Sequence, residues 1–104
     1  MHKLIALYRT PADEAAFMAY YQNTHLPLVA KIPGLVRAEV TRITRTLMGE
    51  SGHFLLAEMV FADAESFKAA MKSAENAATG ADLANFAQGI VTVMTGETLP
   101  GGPA

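Results

Sequence analysis

The sequence of 104 residues predicts an α+β fold with the element order β-α-β-β-α-β and a four-stranded antiparallel sheet. Four segments have the apolar or alternating character of strands, and two of them flank a turn that contains two glycines. Two longer segments carry apolar residues at helical spacing and separate the remaining strands. This order is typical of the split βαβ pattern, in which both helices lie on one face of the sheet.

The composition favours a folded protein that associates with itself. Of its residues, 51% are apolar and 17% are charged, so the chain can bury enough surface to fold and is not expected to be disordered. Soluble domains average about 25% charged residues, and this chain has fewer. The low charged fraction indicates that part of the surface does not face water because a second copy covers it. The absence of Cys excludes a disulfide or thiolate–metal scaffold, and a net charge of −2 argues against general nucleic-acid binding.

We expect residues 1–98 to form a single domain and residues 99–104 to form a tail rich in Pro and Gly. No run of residues is long and apolar enough for a signal-peptide core or a membrane span, so the expected location is the cytoplasm, with no membrane partner. The three His residues are scattered and have no ligand spacing, so we expect neither a metal nor a cofactor.

The first helix is predicted to follow a strand over residues 3–9. Thr10 is predicted to cap this helix, with Pro11 at its first position. Pro27 is expected to kink or break the helix near its end, because proline removes a backbone donor. Aromatic and aliphatic side chains recur at spacings of 4, 4, 3 and 4 and share one helix face: Phe17, Tyr21, His25, Leu28 and Ile32.

Two further strands are predicted to form a hairpin. Residues 35–47 alternate between faces, residues 48–52 form the turn, and residues 53–61 are almost wholly apolar. Helices cover only one face of such a sheet, yet residues 3–9 and 53–61 carry apolar side chains on both faces. We therefore expect a homodimer in which the open faces of two sheets pack together.

The remainder of the chain is predicted to contain a second helix and the last strand. The helix is expected over residues 63–79, capped by an aspartate and ended by Thr79 and Gly80. A short helical turn over residues 82–87 and a strand over residues 90–95 complete the pattern.

The segment FMAYYQNTHLPL, which begins at Phe17, and the later tripeptide PGL resemble the EthD family. The stretch DLANF, which begins at Asp82, is similar to the segment before the last strand in related dimeric barrels. The resemblance covers residues 2–98 and implies a ferredoxin-like fold that pairs into a dimeric α/β barrel. The wider superfamily includes cofactor-free monooxygenases, isomerases and cyclases, and the EthD family is associated with ether-degradation operons without an assigned chemistry.

His25 and Tyr21 are the candidate catalytic pair. They lie one helical turn apart on the face that is expected to meet the sheet. An imidazole can transfer protons near neutral pH, and a phenol can donate to a developing oxyanion. From the residues alone, the alternative is a structural, half-buried His25 that bonds a backbone carbonyl freed by Pro27. The resemblance implies that His25 is the functional position.

Four further residues are candidates for substrate binding. Phe17 shares the helix face of the catalytic pair, and Tyr8 and Glu58 lie on strands from which they could point into the same cavity. Glu58 could instead pair across the sheet with a basic residue such as Arg37 or Arg42. Arg42 belongs to a basic group that would suit a carboxylate or phenolate substrate, or that would block aggregation at a sheet edge.

Two functions remain open from the sequence. The first is a cofactor-free enzyme that acts by proton transfer on a small apolar or aromatic carbonyl, lactone or phenol in a degradative or secondary-metabolite pathway. Isomerase, cyclase or dehydratase, and monooxygenase chemistry all begin from such a step. The second is a non-catalytic dimer that binds a small apolar ligand or assists a degradative enzyme.

Overall fold

A computed structural model describes residues 1–100, and part of the predicted tail, residues 101–104, lies outside the described residues. Within the described residues there are four strands: β1 (His2–Arg9), β2 (Leu35–Arg42), β3 (His53–Phe61) and β4 (Val91–Glu97). They form one antiparallel sheet in the order β2-β3-β1-β4. Helical segments follow β1 and β3, so the predicted four-stranded α+β fold is confirmed.

The strand register determines which side chains meet the helices. In β1 and β3, Ala6 lies opposite Ala57, and Tyr8 lies opposite Leu55. Because side chains alternate along a strand, these four residues share one face of the sheet. All four are buried and belong to the core that the helices cover.

The first helix, α1 (Glu14–Tyr20), begins later than predicted. Its N-cap is Asp13, whose carboxylate accepts a hydrogen bond from the Ala16 backbone N–H at 3.0 Å. The expectation that Thr10 caps the helix is wrong, because the Thr10 hydroxyl instead donates to the Gly52 carbonyl. Asp is the stronger capping residue of the two, since its carboxylate also interacts favourably with the helix dipole.

Pro27 disturbs the helix as expected, but it does not break it. After α1 comes a π-helical turn (Tyr21–His25), in which the Leu26 N–H donates to the carbonyl of Tyr21, five residues back. A regular turn, α2 (Leu26–Val29), then carries Pro27 near its start, where no N–H is needed. The wider π turn makes room for the proline ring, which would otherwise press on the carbonyl four residues earlier.

The prediction of a single helix over residues 63–79 is wrong, because the chain forms two helices in this region. The structure has α3 (Ala64–Met71) and α4 (Ala74–Phe86), separated by Lys72 and Ser73. The Ser73 hydroxyl caps α4 by accepting the Asn76 N–H, while Gly80 lies within α4. A glycine in a helix interior costs only about 1 kcal/mol, so a well-formed cap outweighs the break expected at Gly80.

The second strand also ends earlier than its alternating pattern suggests. β2 ends at Arg42, and the chain to β3 carries exposed Leu47 and Met48. Positive φ angles at Gly49 (92°) and Gly52 (98°) close this turn, a backbone conformation that glycine adopts without strain. Polar and apolar alternation therefore continues beyond the point where strand pairing stops.

The sheet face turned away from the helices is apolar and only half covered. Ile5, Leu7 and Leu56 lie on this face and remain half-buried, although they belong to the two central strands. Met94 on β4 is 41% exposed. Among residues 1–100, no helix combines the length and the apolar character needed to cross a lipid bilayer.

The corrected helix start gives a first prediction. Replacing Asp13 with Ala should lower the free energy of unfolding by about 1 kcal/mol, because the Ala16 N–H loses its partner. For a chain of this size the melting temperature should fall by roughly 4–8 °C. Thermal unfolding followed by circular dichroism measures this change. Thr10→Ala is the matched control, and an equal or larger loss in that variant would contradict the assignment of the cap.

Candidate functional site

A small cavity lies between the helix-covered face of the sheet and the helical segments. Its volume is about 140 Å³, and β1, β3 and β4 contribute aliphatic side chains to its walls. The π turn contributes Tyr21 and His25, and α4 contributes Thr79 and Gly80. An apolar pocket with a few convergent polar groups is the usual form of a small-molecule site.

His25 is almost completely buried at the edge of this cavity. The residue is 3% exposed, and its ring lies 4.7 Å from the Phe86 ring and 5.6 Å from the Tyr21 ring, centroid to centroid. Its Nδ1 atom is 2.9 Å from Oδ2 of Asp82. The structure thus brings the two candidate catalytic residues together. The partner of His25 is a carboxylate rather than the backbone carbonyl considered from the sequence.

Asp82 is the site residue that sequence reasoning missed. It is 7% exposed on α4, and its Oδ1 accepts hydrogen bonds from the Tyr20 hydroxyl at 2.6 Å and from the Asn85 amide at 3.0 Å. Burial alone would raise the pKa of the Asp82 carboxyl, but the hydrogen bonds from Tyr20, Asn85 and His25 together outweigh burial and lower the pKa. Asp82 is therefore an ionised carboxylate at neutral pH.

The ionised carboxylate determines which of the two tautomers the uncharged form of the His25 ring adopts. A carboxylate can only accept, so the Nδ1 of His25 must donate to Asp82. The remaining ring nitrogen, Nε2, then carries a lone pair, and it has no hydrogen-bond partner within residues 1–100. A ring held in this way can take a proton from a molecule in the cavity.

Two buried phenols complete the polar part of the cavity. Tyr8 and Tyr21 are each 1% exposed, both line the cavity, and neither hydroxyl has a partner in the described part of the chain. Burial raises the pKa of Tyr21 to about 12. Burial, reinforced by the nearby Tyr21 and Asp82, raises the pKa of Tyr8 still further. Both hydroxyls stay protonated at neutral pH and are available as hydrogen-bond donors.

Phe17 supports the site from behind rather than lining the cavity. Its ring is stacked on Tyr21 at 6.0 Å and meets Tyr8 edge-on at 5.4 Å. Contacts of this kind fix ring orientation and contribute about 0.5–1.5 kcal/mol each. Phe17 was predicted to bind substrate, but its ring instead packs against the two phenols and helps to fix their orientation.

Glu58 and Arg42 lie away from the cavity. The Glu58 carboxylate points to the open face of the sheet and pairs with Lys3 at 3.0 Å, so its expected place beside His25 is wrong. Arg42 is at the edge strand β2, where its guanidinium pairs with Glu14 at 3.0 Å and lies 4.7 Å from the centre of the Phe54 ring. Its contacts match the sheet-edge alternative and not a substrate contact.

Metal ligation finds no support in the side-chain positions. Within residues 1–100, no group of three or more His, Asp or Glu side chains is arranged to hold a metal ion. The polar groups that line the cavity are the imidazole of His25, the phenols of Tyr8 and Tyr21, the amide of Asn76 and the hydroxyl of Thr79. The carboxylate that orients the imidazole lies behind the ring and not in the lining.

Together, the fold and the site define a small ferredoxin-like protein with an apolar cavity beside a buried His–Asp pair. The model of the EthD domain matches residues 9–90 of this chain. The chain therefore belongs to the EthD family, as its sequence motifs predicted.

Two relatives are similar along nearly their whole length. An uncharacterised 11.0 kDa protein from the thcB–thcC intergenic region of Rhodococcus erythropolis is 33% identical over 94 residues, which are 90% of this chain and 91% of that protein. The crystal structure of an ethyl tert-butyl ether (EthD) family protein from Bacillus halodurans C-125 has 48% identity and a TM-score of 0.87. That alignment covers 95% of this chain and 99% of the other.

More distant structures share the fold. A dimeric protein of unknown function and ferredoxin-like fold from Bacteroides fragilis has 20% identity and a TM-score of 0.62, with 93% of this chain and 95% of that chain covered. SnoaB, a cofactor-independent oxygenase from Streptomyces nogalater, has 17% identity and a TM-score of 0.61, with 96% and 97% covered.

The charge state of Asp82 gives a prediction about pH. Its pKa is lower in the folded protein than in the unfolded chain, so the ionised carboxylate stabilises the fold above the unfolded value of 3.8, and this stability is lost as pH falls through the folded pKa. Asp82→Asn should remove about 1–3 kcal/mol at neutral pH, because hydrogen-bond partners are left unpaired. It should also flatten the loss of stability below pH 4.

Thermal denaturation between acidic and neutral pH measures both effects. Glu75→Gln is the control, because it removes the same charge from an exposed position in the first turn of the same helix. A parallel acid-induced loss in wild type and Asp82→Asn would show that Asp82 does not carry this stability.

Proposed function

We propose that this protein is an enzyme that moves a proton on a small apolar or aromatic carbonyl, lactone or phenol, without a cofactor. His25 is the acid/base, and Tyr21 is its hydrogen-bonding partner in the reaction. The observation that carries this proposal is the orientation of His25. Its Nδ1 is held by Asp82, while the ring borders an apolar cavity that also contains two protonated phenols.

The chemistry follows from these positions. Nε2 of His25 removes a proton from the carbon next to a carbonyl; the C–H electron pair forms a C=C bond, and the carbonyl π electrons move to oxygen. The enolate oxygen accepts a hydrogen bond from Tyr21 or Tyr8, and Asp82 stabilises the imidazolium that forms. If Nε2 returns the proton to a different carbon of the substrate, the result is an isomerisation. If the proton goes to a hydroxyl group that leaves as water, the result is a dehydration.

The relatives support a setting for this chemistry. The name of the similar Bacillus halodurans protein refers to ethyl tert-butyl ether. Together with the association of the EthD family with ether-degradation operons, this name favours a degradative pathway. SnoaB is described as a cofactor-independent oxygenase, and its likeness to this chain extends to the fold alone. The cytoplasmic location and the absence of a cofactor stay predictions from the sequence.

A non-catalytic role is the second candidate. His25 is 3% exposed and is bonded to a buried carboxylate, an arrangement that also suits a structural histidine. In that case the cavity holds a small ligand for a degradative enzyme and no proton moves. The two functions differ in whether bound molecules exchange protons with His25.

We also propose that the protein acts as a homodimer. The half-covered face that contains Ile5, Leu7 and Leu56 would be buried by the same face of a second copy. The similar protein from Bacteroides fragilis is described as dimeric. The Lys3–Glu58 ion pair lies on this same face, among the residues that the sheet of a partner would contact.

Proton exchange tests the enzyme proposal before the natural substrate is identified. In deuterated water, wild-type protein should speed incorporation of deuterium next to the carbonyl of cyclohexanone, followed by proton NMR. His25→Asn keeps an N–H donor toward Asp82 but has no basic nitrogen, so exchange should fall at least about 100-fold. Tyr21→Phe should lower it by about tenfold, since one hydrogen bond is lost and the ring is kept.

The exposed Gln22→Ala variant, next to the pair on the π turn, is the matched control and should exchange like wild type. Exchange that is absent in wild type, or retained in a folded His25→Asn variant, would contradict the catalytic role and favour ligand binding.

Light scattering at micromolar concentration tests the assembly. The expected mass is that of two 11.1 kDa chains. Leu7→Lys should yield monomers, because it places a charge at the centre of the open face. Ala15→Lys on exposed α1 should leave the dimer intact. A wild-type protein that stays at the mass of one chain would contradict the dimer.

A further inference from the structure

We propose that the cavity selects an uncharged, oxygen-bearing molecule about the size of one six-membered ring, and that the cross-strand pair Ala6–Ala57 sets this limit. The inference rests on the proposed function for the choice of site. It concerns what the site accepts, and its test does not require turnover.

The volume of the cavity limits the size of the molecule. At about 140 Å³, it is close to an engineered apolar cavity of about 150 Å³ that takes up benzene in another protein. A single ring or a compact branched molecule of about six to eight non-hydrogen atoms fits such a space. Fused ring systems exceed it.

The cavity exists because two small residues meet on the sheet. Ala6 and Ala57 are direct partners in the register of β1 and β3, and both line the cavity. The neighbouring pairs on the same face are large: Leu4 lies opposite Met59, and Tyr8 lies opposite a leucine. The sheet side of the cavity is therefore deepest at the alanine pair. A larger side chain at either position would fill this part of the cavity.

The lining also selects against charge. None of the residues around the cavity is Lys, Arg, Asp or Glu. The hydroxyls of Tyr8 and Tyr21 can donate hydrogen bonds to one oxygen of a ligand, whereas the lone pair on Nε2 of His25 can only accept. Asn76 and Thr79 add a neutral amide and a hydroxyl to the lining. A carboxylate would lose its water without gaining a buried counter-charge, which costs more than the cavity returns.

Access is from the side of the edge strand. Gly80 on α4 and Val93 on β4 both line the cavity and are exposed, and Val93 is 49% exposed. A Cβ atom at Gly80 would meet nothing within 4 Å, so no other side chain fills the space beside this position. The alanine pair lies at the inner end of this route, where it determines how far a ligand can enter.

Binding measured by protein NMR tests the inference directly. Titration with cyclohexanone should shift the methyl resonances of Ala6 and Ala57 in wild type. The bicyclic ketone 2-decalone and the anion cyclohexanecarboxylate should bind at least about tenfold more weakly, equivalent to about 1.4 kcal/mol. Ala57→Val and Ala6→Val should each weaken cyclohexanone binding by a similar factor.

Ala38→Val is the matched control, because it adds the same two methyl groups at an exposed position of β2 and should bind cyclohexanone like wild type. Equal binding of 2-decalone or of the carboxylate, unchanged binding in both cavity variants, or no shift at Ala6 and Ala57 would each overturn the inference. If the binding preferences hold but wild type exchanges no deuterium, the enzyme proposal fails and this inference stands.

Discussion

The hydrogen-bonded carboxylate of Asp82 is the interaction on which the site depends. It lies on α4 and accepts from His25 and Tyr20 of the first helical segment, and from Asn85 on its own helix. An unpaired buried carboxylate is costly, so these donors and the carboxylate hold the two helical segments together. The same bonds orient the imidazole at the cavity, and structural stability and the chemistry of the site therefore share one group.

The cavity and the proposed catalytic pair arise from local departures from regular packing. The π turn next to Pro27 carries Tyr21 and His25 toward the sheet, and π turns are frequent at functional sites. Opposite them, Ala6 and Ala57 leave space where larger side chains would give a filled core. Both features lower packing density in the same place, which is the expected cost of a pocket inside a protein of this size.

Local patterns predicted the parts of the structure that depend on local geometry. Strand alternation and helical spacing identified the sheet and brought Tyr21 next to His25. Asp82 was missed because its contact with His25 joins residues 57 positions apart, which no periodicity records. The sequence shows it only as the first residue of the stretch DLANF, and nothing in that stretch points to a contact with His25. Glu58 was misplaced because its partner, Lys3, is determined by strand register and order rather than by spacing.

The central claim is that Asp82 selects one tautomer of His25, in which the proton is on Nδ1 and the lone pair is on Nε2. Nitrogen-15 NMR of the ring at mildly alkaline pH measures this tautomer directly. The account predicts a protonated-type shift for Nδ1 and an unprotonated-type shift for Nε2 in wild type, with that preference lost in Asp82→Asn. A wild-type ring protonated on Nε2 would contradict it, because no base would then face the cavity.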